Sequence, residues 1–173
     1  MNEGHKNRER ADSFTPCART INGRGDASSL SGPEQAIHRF YKAFNEKDMA
    51  AMARIWANTE DVTAQNPAGG TRRGWSDLQW VYEKVLGSPA GITAEFYDYT
   101  IHVAGEVFWS VGRERIFMNQ NGEAVVITVR ITRIFRRVDG VWRLVHLHGS
   151  FEDPDMLREY QQATGSAGAS PAT

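Results

Sequence analysis

The stretch VVITVRITRIFRRV, residues 125–138, decides the fold class of this 173-residue chain. Successive side chains of a strand point to opposite faces, so the odd positions of this stretch form a strongly apolar face and the even positions a smaller, mixed one. A strand with one face in water is polar throughout that face. The pattern therefore predicts a strand in a sheet that is covered on both sides.

The sequence after residue 91 predicts an antiparallel meander. Asn121-Gly122 and Asp139-Gly140 are strong hairpin signals. Between and beside these turns, alternating runs predict strands at 92–103, 107–118, 124–138 and 141–151. Each run therefore pairs with the next one along the chain.

The sequence before residue 91 predicts three helices and one short strand. Ser31 and Glu34 have the spacing of a capping box, and an apolar stripe with helical spacing follows them. Asp48 is placed to cap a second, short helix, and a third helix is predicted over about 75–86. A strand is predicted at 61–65. Helices followed by a meander indicate an α+β fold with helices on one face of a bent sheet.

The second face of the sheet needs a cover that these helices cannot provide. Left in water, it would expose more apolar surface than monomers usually tolerate. We therefore expect a homodimer that buries the outer sheet face.

Composition argues against several classes of protein. The chain has 20 Lys and Arg against 21 Asp and Glu, which does not suit binding to nucleic-acid phosphates. No apolar run approaches the roughly 18 residues of a membrane helix, and no secretory signal is apparent. We expect a cytoplasmic protein with a disordered leader at 1–30, one domain at 31–160 and a disordered tail at 161–173.

The order and spacing of these segments resemble the SnoaL-like and ketosteroid-isomerase-like branch of the nuclear transport factor 2-like superfamily, over about residues 33–155. The last strands resemble the association domain of calcium/calmodulin-dependent protein kinase II. The matching phrases are IHVAGE at 101–106, TRIF at 132–135 and WRLVHLHGS at 142–150.

The resemblance implies a cystatin-like cone, in which N-terminal helices pack in a curved mixed or antiparallel sheet around a pocket. It also implies assembly through the outer sheet face. In kinase association domains the pocket holds arginines, and the matching positions are Arg115 and Arg133. The general-base aspartate and the tyrosine–aspartic acid pair of ketosteroid isomerase have no match in this sequence.

Arg115 and Arg133 lie on the more apolar side of their strands by simple alternation. A buried guanidinium needs acceptors. One alternative is an internal ion pair with Glu114, Asp61 or Glu95. The other is a bound carboxylate or enolate oxygen, for which the geometry of arginine is well suited.

His146 and His148 lie two residues apart on one strand and are predicted to share a face with Trp142 and Leu144. A metal site would need a third ligand, and His102 is the only nearby candidate. We therefore favour structural or acid–base histidines, with no metal and no other cofactor. His148 is the preferred proton-transfer residue, and His146 is expected to contact the ligand.

Four further residues complete the predicted site, and one of them, Glu114, is expected to contact the ligand. Asp61 opens the first strand and is a second catalytic candidate, although a turn or capping role is the favoured alternative. Tyr41 and Trp56 would provide aromatic walls of the pocket, or simply pack in the core.

These residues predict a pocket for a small apolar molecule that carries a carbonyl or carboxylate group. An enzyme of the isomerase, cyclase or dehydratase kind would move a proton next to the carbonyl while arginine stabilises the oxyanion. The alternatives are a non-catalytic binding module and a homo-oligomerisation domain. The sequence does not choose between them, because an enzyme and a binding module require the same pocket.

Overall fold

The computed structural model describes residues 16–120 and 122–158. Its helices are α1 (Gly32–Asn45), α2 (Met49–Ile55) and α3 (Trp75–Leu86), and residues 154–158 are again helical. Its strands are β1 (Thr63–Gln65), β2 (Thr71–Arg73), β3 (Thr93–Ala104), β4 (Val107–Gln120), β5 (Glu123–Val138) and β6 (Val141–Phe151). The α+β class is confirmed, and α3 has the bounds that the sequence predicts.

The strands form one mixed sheet in the order β2-β1-β6-β5-β4-β3. Strands β3 to β6 make the predicted antiparallel meander. Strand β1 pairs in parallel with β6 and antiparallel with β2. The sheet is therefore extended beyond β6 by chain that precedes the meander.

Helix α1 packs on the concave face of the sheet. The predicted capping box is present, because the Ser31 hydroxyl accepts from the Glu34 amide and the Glu34 carboxylate accepts from the Ser31 amide. Ile37, Phe40 and Tyr41 of α1 join one buried cluster with aromatic residues of the sheet. The helices thus cover one face of the sheet, as predicted.

Two bulges bend the sheet around the helices. In β3 the register shifts between Tyr97 and Thr100, where Asp98 has a positive φ of 47°. In β6 His146 pairs with Ile134 and Leu144 with Phe135, so Val145 is an extra residue. A bulge bends its strand and increases the local twist, which gives the sheet its concave face.

The chain before α1 differs from the disordered leader that the sequence predicts. Cys17 pairs with Tyr99 and Ile21 with Phe96, and Ile21 is 2% exposed. A single apolar residue in a polar stretch has no periodicity, so sequence patterns miss this edge pairing. Predicted disorder at 1–15 and 161–173 lies outside the described residues. No helix within the described ranges has the length and apolar character that crossing a membrane requires.

Candidate functional site

A cavity of about 310 Å³ lies between the helices and the concave face of the sheet. Its lining is mainly apolar and comes from α1, α3, the segment 66–69 and all six strands. Its apolar lining includes Phe40, Phe44, Leu78, Val81, Val85, Ile116, Ile131 and Leu147. The ionisable side chains that line it are Arg72, Lys84, Glu114 and Arg133, with the phenol of Tyr82.

Arg133 lies on the inner face of β5 and is fully buried. Its guanidinium carbon is 4.7, 4.9 and 5.2 Å from the ring centroids of Phe40, Tyr41 and Phe96. Its Nη2 donates to the Tyr41 hydroxyl at 2.6 Å and to Oε2 of Glu114. Its Nε and Nη1 are buried and have no hydrogen-bond partner among the described residues.

Tyr41, Glu114 and Arg133 form one hydrogen-bonded trio, of which Glu114 and Arg133 line the buried end of the cavity, whereas the fully buried Tyr41 is not among the lining residues. The Tyr41 hydroxyl donates to Oε2 of Glu114 and accepts from Arg133. Burial raises the pKa of Tyr41 well above its ordinary value, although the charge of Arg133 acts in the other direction. Burial disfavours the charge of Arg133, but the oxygens of Tyr41 and Glu114 outweigh burial and raise its pKa. Tyr41 therefore remains a neutral donor and Arg133 remains a cation.

Arg115 does not join this trio, in contrast to the prediction. It lies on the outer face of β4, where Nη1 is 3.2 Å from Oε1 of Glu95 and the guanidinium stacks over Tyr97. The inner face of β4 carries Ser110, Gly112 and Glu114 instead, and at Gly112 the side chains of Phe96 and Tyr99 come too close for even a Cβ atom. The assumption that the more apolar side of a strand faces the core therefore identifies the wrong face of β4 as the inner one.

His146 and His148 also point away from the cavity. The sequence predicts that they share a face with Trp142 and Leu144, but the extra residue Val145 reverses the alternation after Leu144. Thus Leu147 lines the cavity, while the exposed His148 lies on the outer face.

His146 contacts the first strand rather than a ligand. Its Nδ1 lies 2.7 Å from the Thr63 hydroxyl. Burial, and secondarily the charge of His148, lowers the pKa of His146. Within the described ranges no group of three or more His, Cys, Asp or Glu side chains has the arrangement of a metal site.

Asp61 and Trp56 are likewise outside the cavity. Asp61 lies in an exposed turn before β1, where it accepts from Thr59 and pairs with Arg136 at 3.3 Å. The hydrogen bond from Thr59, more than the charge of Arg136, lowers the pKa of Asp61. Trp56 is buried against Trp75 and Tyr82, behind the cavity wall. The structure therefore favours the turn and core alternatives for these two residues.

Two charged lining residues were not among the predicted site residues. Arg72 on β2 and Lys84 on α3 line the cavity beside Trp80, which is 49% exposed. The spacing of Trp80 and Lys84, four residues apart on one helix face, is the sequence signal for their proximity. Arg72 has no such signal, because its position depends on the pairing of β2 with β1.

The cone of helices in a curved mixed sheet, with an apolar cavity inside it, defines the nuclear transport factor 2-like class of fold. A model of the SnoaL-like domain matches residues 34–154, and the chain belongs to this family.

Solved structures with this fold include a putative dehydratase of the nuclear transport factor 2-like family from Streptomyces avermitilis. It is 20% identical and has a TM-score of 0.64, with 69% of this chain and 93% of that chain covered. The hub of S. rosetta calcium/calmodulin-dependent protein kinase II is 17% identical with a TM-score of 0.61, with 73% of this chain and 99% of the hub covered. At these identities the likeness concerns the fold, which confirms the expected cystatin-like cone.

Among characterised proteins, the F-box protein SKIP8 from Arabidopsis thaliana is 21% identical over 111 residues, which is 64% of this chain. The chain spans 46%, about half, of the length of that relative.

Proposed function

We propose that this domain binds a small, mainly apolar molecule whose carbonyl oxygen accepts hydrogen bonds from Arg133. The observation that carries the proposal is the pair of buried, unpartnered nitrogens Nε and Nη1 of a guanidinium that lines an apolar cavity. A buried donor without an acceptor costs on the order of 1–3 kcal/mol, and a ligand oxygen would recover part of that cost. Small-molecule sites typically combine a mainly apolar lining with a small number of polar groups.

A neutral oxygen suits this end of the cavity better than a carboxylate. Glu114 already balances the charge of Arg133 through the contact between its Oε2 and Nη2. A ligand carboxylate beside Arg133 would therefore meet the negative charge of Glu114 in a region of low dielectric. A carbonyl oxygen accepts the same hydrogen bonds without that repulsion.

Glu114 is the side chain best placed to move a proton. It lines the cavity next to Arg133, whereas His148 and Asp61 lie outside it. A carboxylate that takes a proton from the carbon next to the carbonyl, while arginine stabilises the oxyanion, would serve an isomerase, cyclase or dehydratase. Membership in the SnoaL-like family is compatible with an enzymatic role or a binding role.

Displacement of the fluorescent probe N-phenyl-1-naphthylamine tests ligand binding. We expect 2-acetonaphthone to displace it about tenfold more effectively than 2-ethylnaphthalene, which lacks the carbonyl, because one good hydrogen bond is worth roughly that factor. The variant Arg133→Met/Glu114→Gln, which leaves no buried charge unpaired, should bind both compounds equally. The matched control is Arg115→Met/Glu95→Gln on the outer face. Equal binding by the wild-type domain, or an unchanged ratio in the inner-face variant, would show the proposal to be wrong.

Self-association through the outer sheet face is a second proposed function. Val111 on β4 and Val126 on β5 are 44% and 48% exposed on this face. The structural likeness to a kinase hub also favours self-association. A homodimer would bury these side chains without closing the cavity, which lies on the other face of the sheet.

A further inference from the structure

The charges that line the cavity do not balance. Its ionisable lining contains the cations Arg72, Lys84 and Arg133 but the single carboxylate Glu114. Arg133 and Glu114 neutralise each other at the buried end. The remaining positive charge comes from Arg72 and Lys84, and Lys84 is exposed to solvent. The lining of the open end, which we call the mouth, therefore carries two cations and no carboxylate, while Arg72 also pairs with Asp77 beside the cavity.

Trp80 holds the two cations together at the mouth. The Nζ of Lys84 lies 4.3 Å from the centroid of the Trp80 ring, and the guanidinium carbon of Arg72 lies 5.5 Å from it. Such contacts between a cation and a ring restrict a long side chain that would otherwise be free in solvent. Two cations from different elements, β2 and α3, thus converge on one side chain that lines the cavity.

Arg72 and Lys84 both have N–H groups that remain free to bind an anion. Nη1 of Arg72 lies 3.4 Å from Oδ1 of Asp77, but its Nε is buried and has no hydrogen-bond partner among the described residues. The ion pairs between described side chains do not include Lys84. An anionic group at the mouth would be attracted by both positive charges, while Trp80 and the apolar lining contact the body of the same molecule.

We infer that the ligand is an amphiphilic keto acid that binds in one orientation. Its carboxylate lies at the mouth between Arg72 and Lys84, its apolar body fills the cavity, and its carbonyl oxygen reaches Arg133. The inference rests on the proposed function, because it concerns the opposite end of the same ligand. The inference adds a second polar site. Because Arg133 and the pair Arg72 and Lys84 lie at opposite ends of an apolar cavity, they specify which polar groups the ligand carries and in which orientation it binds.

The test compares 6-acetyl-2-naphthoate with its methyl ester, which has the same ketone and ring but no charge. At low ionic strength we expect the acid to bind at least about fivefold more tightly, since exposed ion pairs are worth up to about 1 kcal/mol each. In Arg72→Gln/Lys84→Gln the acid and the ester should bind equally, because the charge that favours the acid is removed. High salt should reduce the preference of the wild-type domain in the same way.

The matched control is Arg54→Gln/Arg73→Gln, which removes two positive charges from residues that do not line the cavity and should keep the preference for the acid. An equal or tighter affinity for the ester in the wild-type domain would overturn the inference, as would an unchanged preference in Arg72→Gln/Lys84→Gln. If the wild-type domain binds neither the ester nor 2-acetonaphthone, the proposed function itself fails. If it binds both but does not prefer the acid, only the keto-acid inference fails.

Discussion

The burial of Arg133 inside a small domain costs free energy, because its charge loses contact with water. A buried ion pair loses the hydration of both charges, and its mutual attraction often does no more than offset that loss. Here the guanidinium contacts three rings, one phenol and one carboxylate, yet two of its nitrogens remain without partners among the described residues. An apolar side chain would pack there with less cost, so the arrangement is better explained by a ligand than by stability.

The sequence suggests two alternatives for Arg133, an internal ion pair and a bound ligand oxygen, and the two are compatible. Arg133 makes an internal ion pair with Glu114, one of the partners that the sequence suggests. It also keeps donors that no described residue uses. A guanidinium has five N–H groups, so one carboxylate and one hydroxyl do not satisfy it.

The role proposed for Glu114 predicts proton exchange in a bound ketone. We expect the wild-type domain to accelerate exchange of the methyl protons of 2-acetonaphthone with deuterium from D₂O, followed by NMR. Glu114→Gln keeps the size of the side chain but removes the base, and should reduce the catalysed rate about 100-fold or more. Glu95→Gln on the outer face should leave it unchanged. A Glu114→Gln domain that exchanges protons at the wild-type rate would contradict the role, and so would a wild-type domain that does not accelerate the exchange.

At the level of single elements, the two bulges decide which side chains reach the cavity. The bulge at Val145 turns His146 and His148 outward while Leu144 and Leu147 both stay inward. The bulge in β3 brings Tyr99 and Phe96 onto the inner face, where their rings are 4.8 Å apart and stacked. One inserted residue in a strand therefore changes the lining more than most substitutions would.

Gly112 on β4 is the position where the bulge in β3 requires a residue without a side chain. A Cβ atom at this position would come within 2.7 Å of Cβ of Tyr99 and 2.8 Å of the Phe96 ring. Gly112→Ala should therefore destabilise the domain by about 1–3 kcal/mol through overpacking, measured as a lower midpoint of urea unfolding. Gly32→Ala at the start of α1, where the nearest atom is 3.9 Å away, is the control and should change stability little. Equal stability of Gly112→Ala and the wild type would refute the packing argument.

At the scale of the whole molecule, the outer sheet face is a mixed surface. Some of its arginines are paired within the chain: Arg113 pairs with Asp98 and Glu152, and Arg115 pairs with Glu95. Exposed valines and the stacked pair His102 and Trp109 lie beside these ion pairs. Because Arg113 and Arg115 already have carboxylate partners, a second copy of the chain could cover this part of the face without leaving these two charges unpaired.

Self-association predicts a change in molecular mass on substitution in this face. We expect the wild-type domain to sediment as a dimer or larger assembly at micromolar concentration. Val111→Lys places a charge in the centre of the proposed interface and should shift the population to monomers. Gln79→Lys, on the exposed side of α3, is the control and should leave the mass unchanged. A wild-type monomer under these conditions would contradict the proposal.

The sequence by itself determined the order of helices and strands, the meander and the family of this protein. Those features depend on local patterns: α3 has the predicted bounds because its apolar spacing and the glycine that follows it act within a few residues. Arg133 was also correctly placed inside, since alternation holds along β5 up to that residue.

Only the tertiary structure decided which polar side chains meet. The inner face of β4 follows from the close approach of aromatic rings to Gly112, and the outward turn of His148 follows from one extra residue at Val145. Arg72 reaches the cavity through the pairing of β2 with β1. Register and bulges are set by packing between segments far apart in the chain, and one residue of shift reverses every face that follows it.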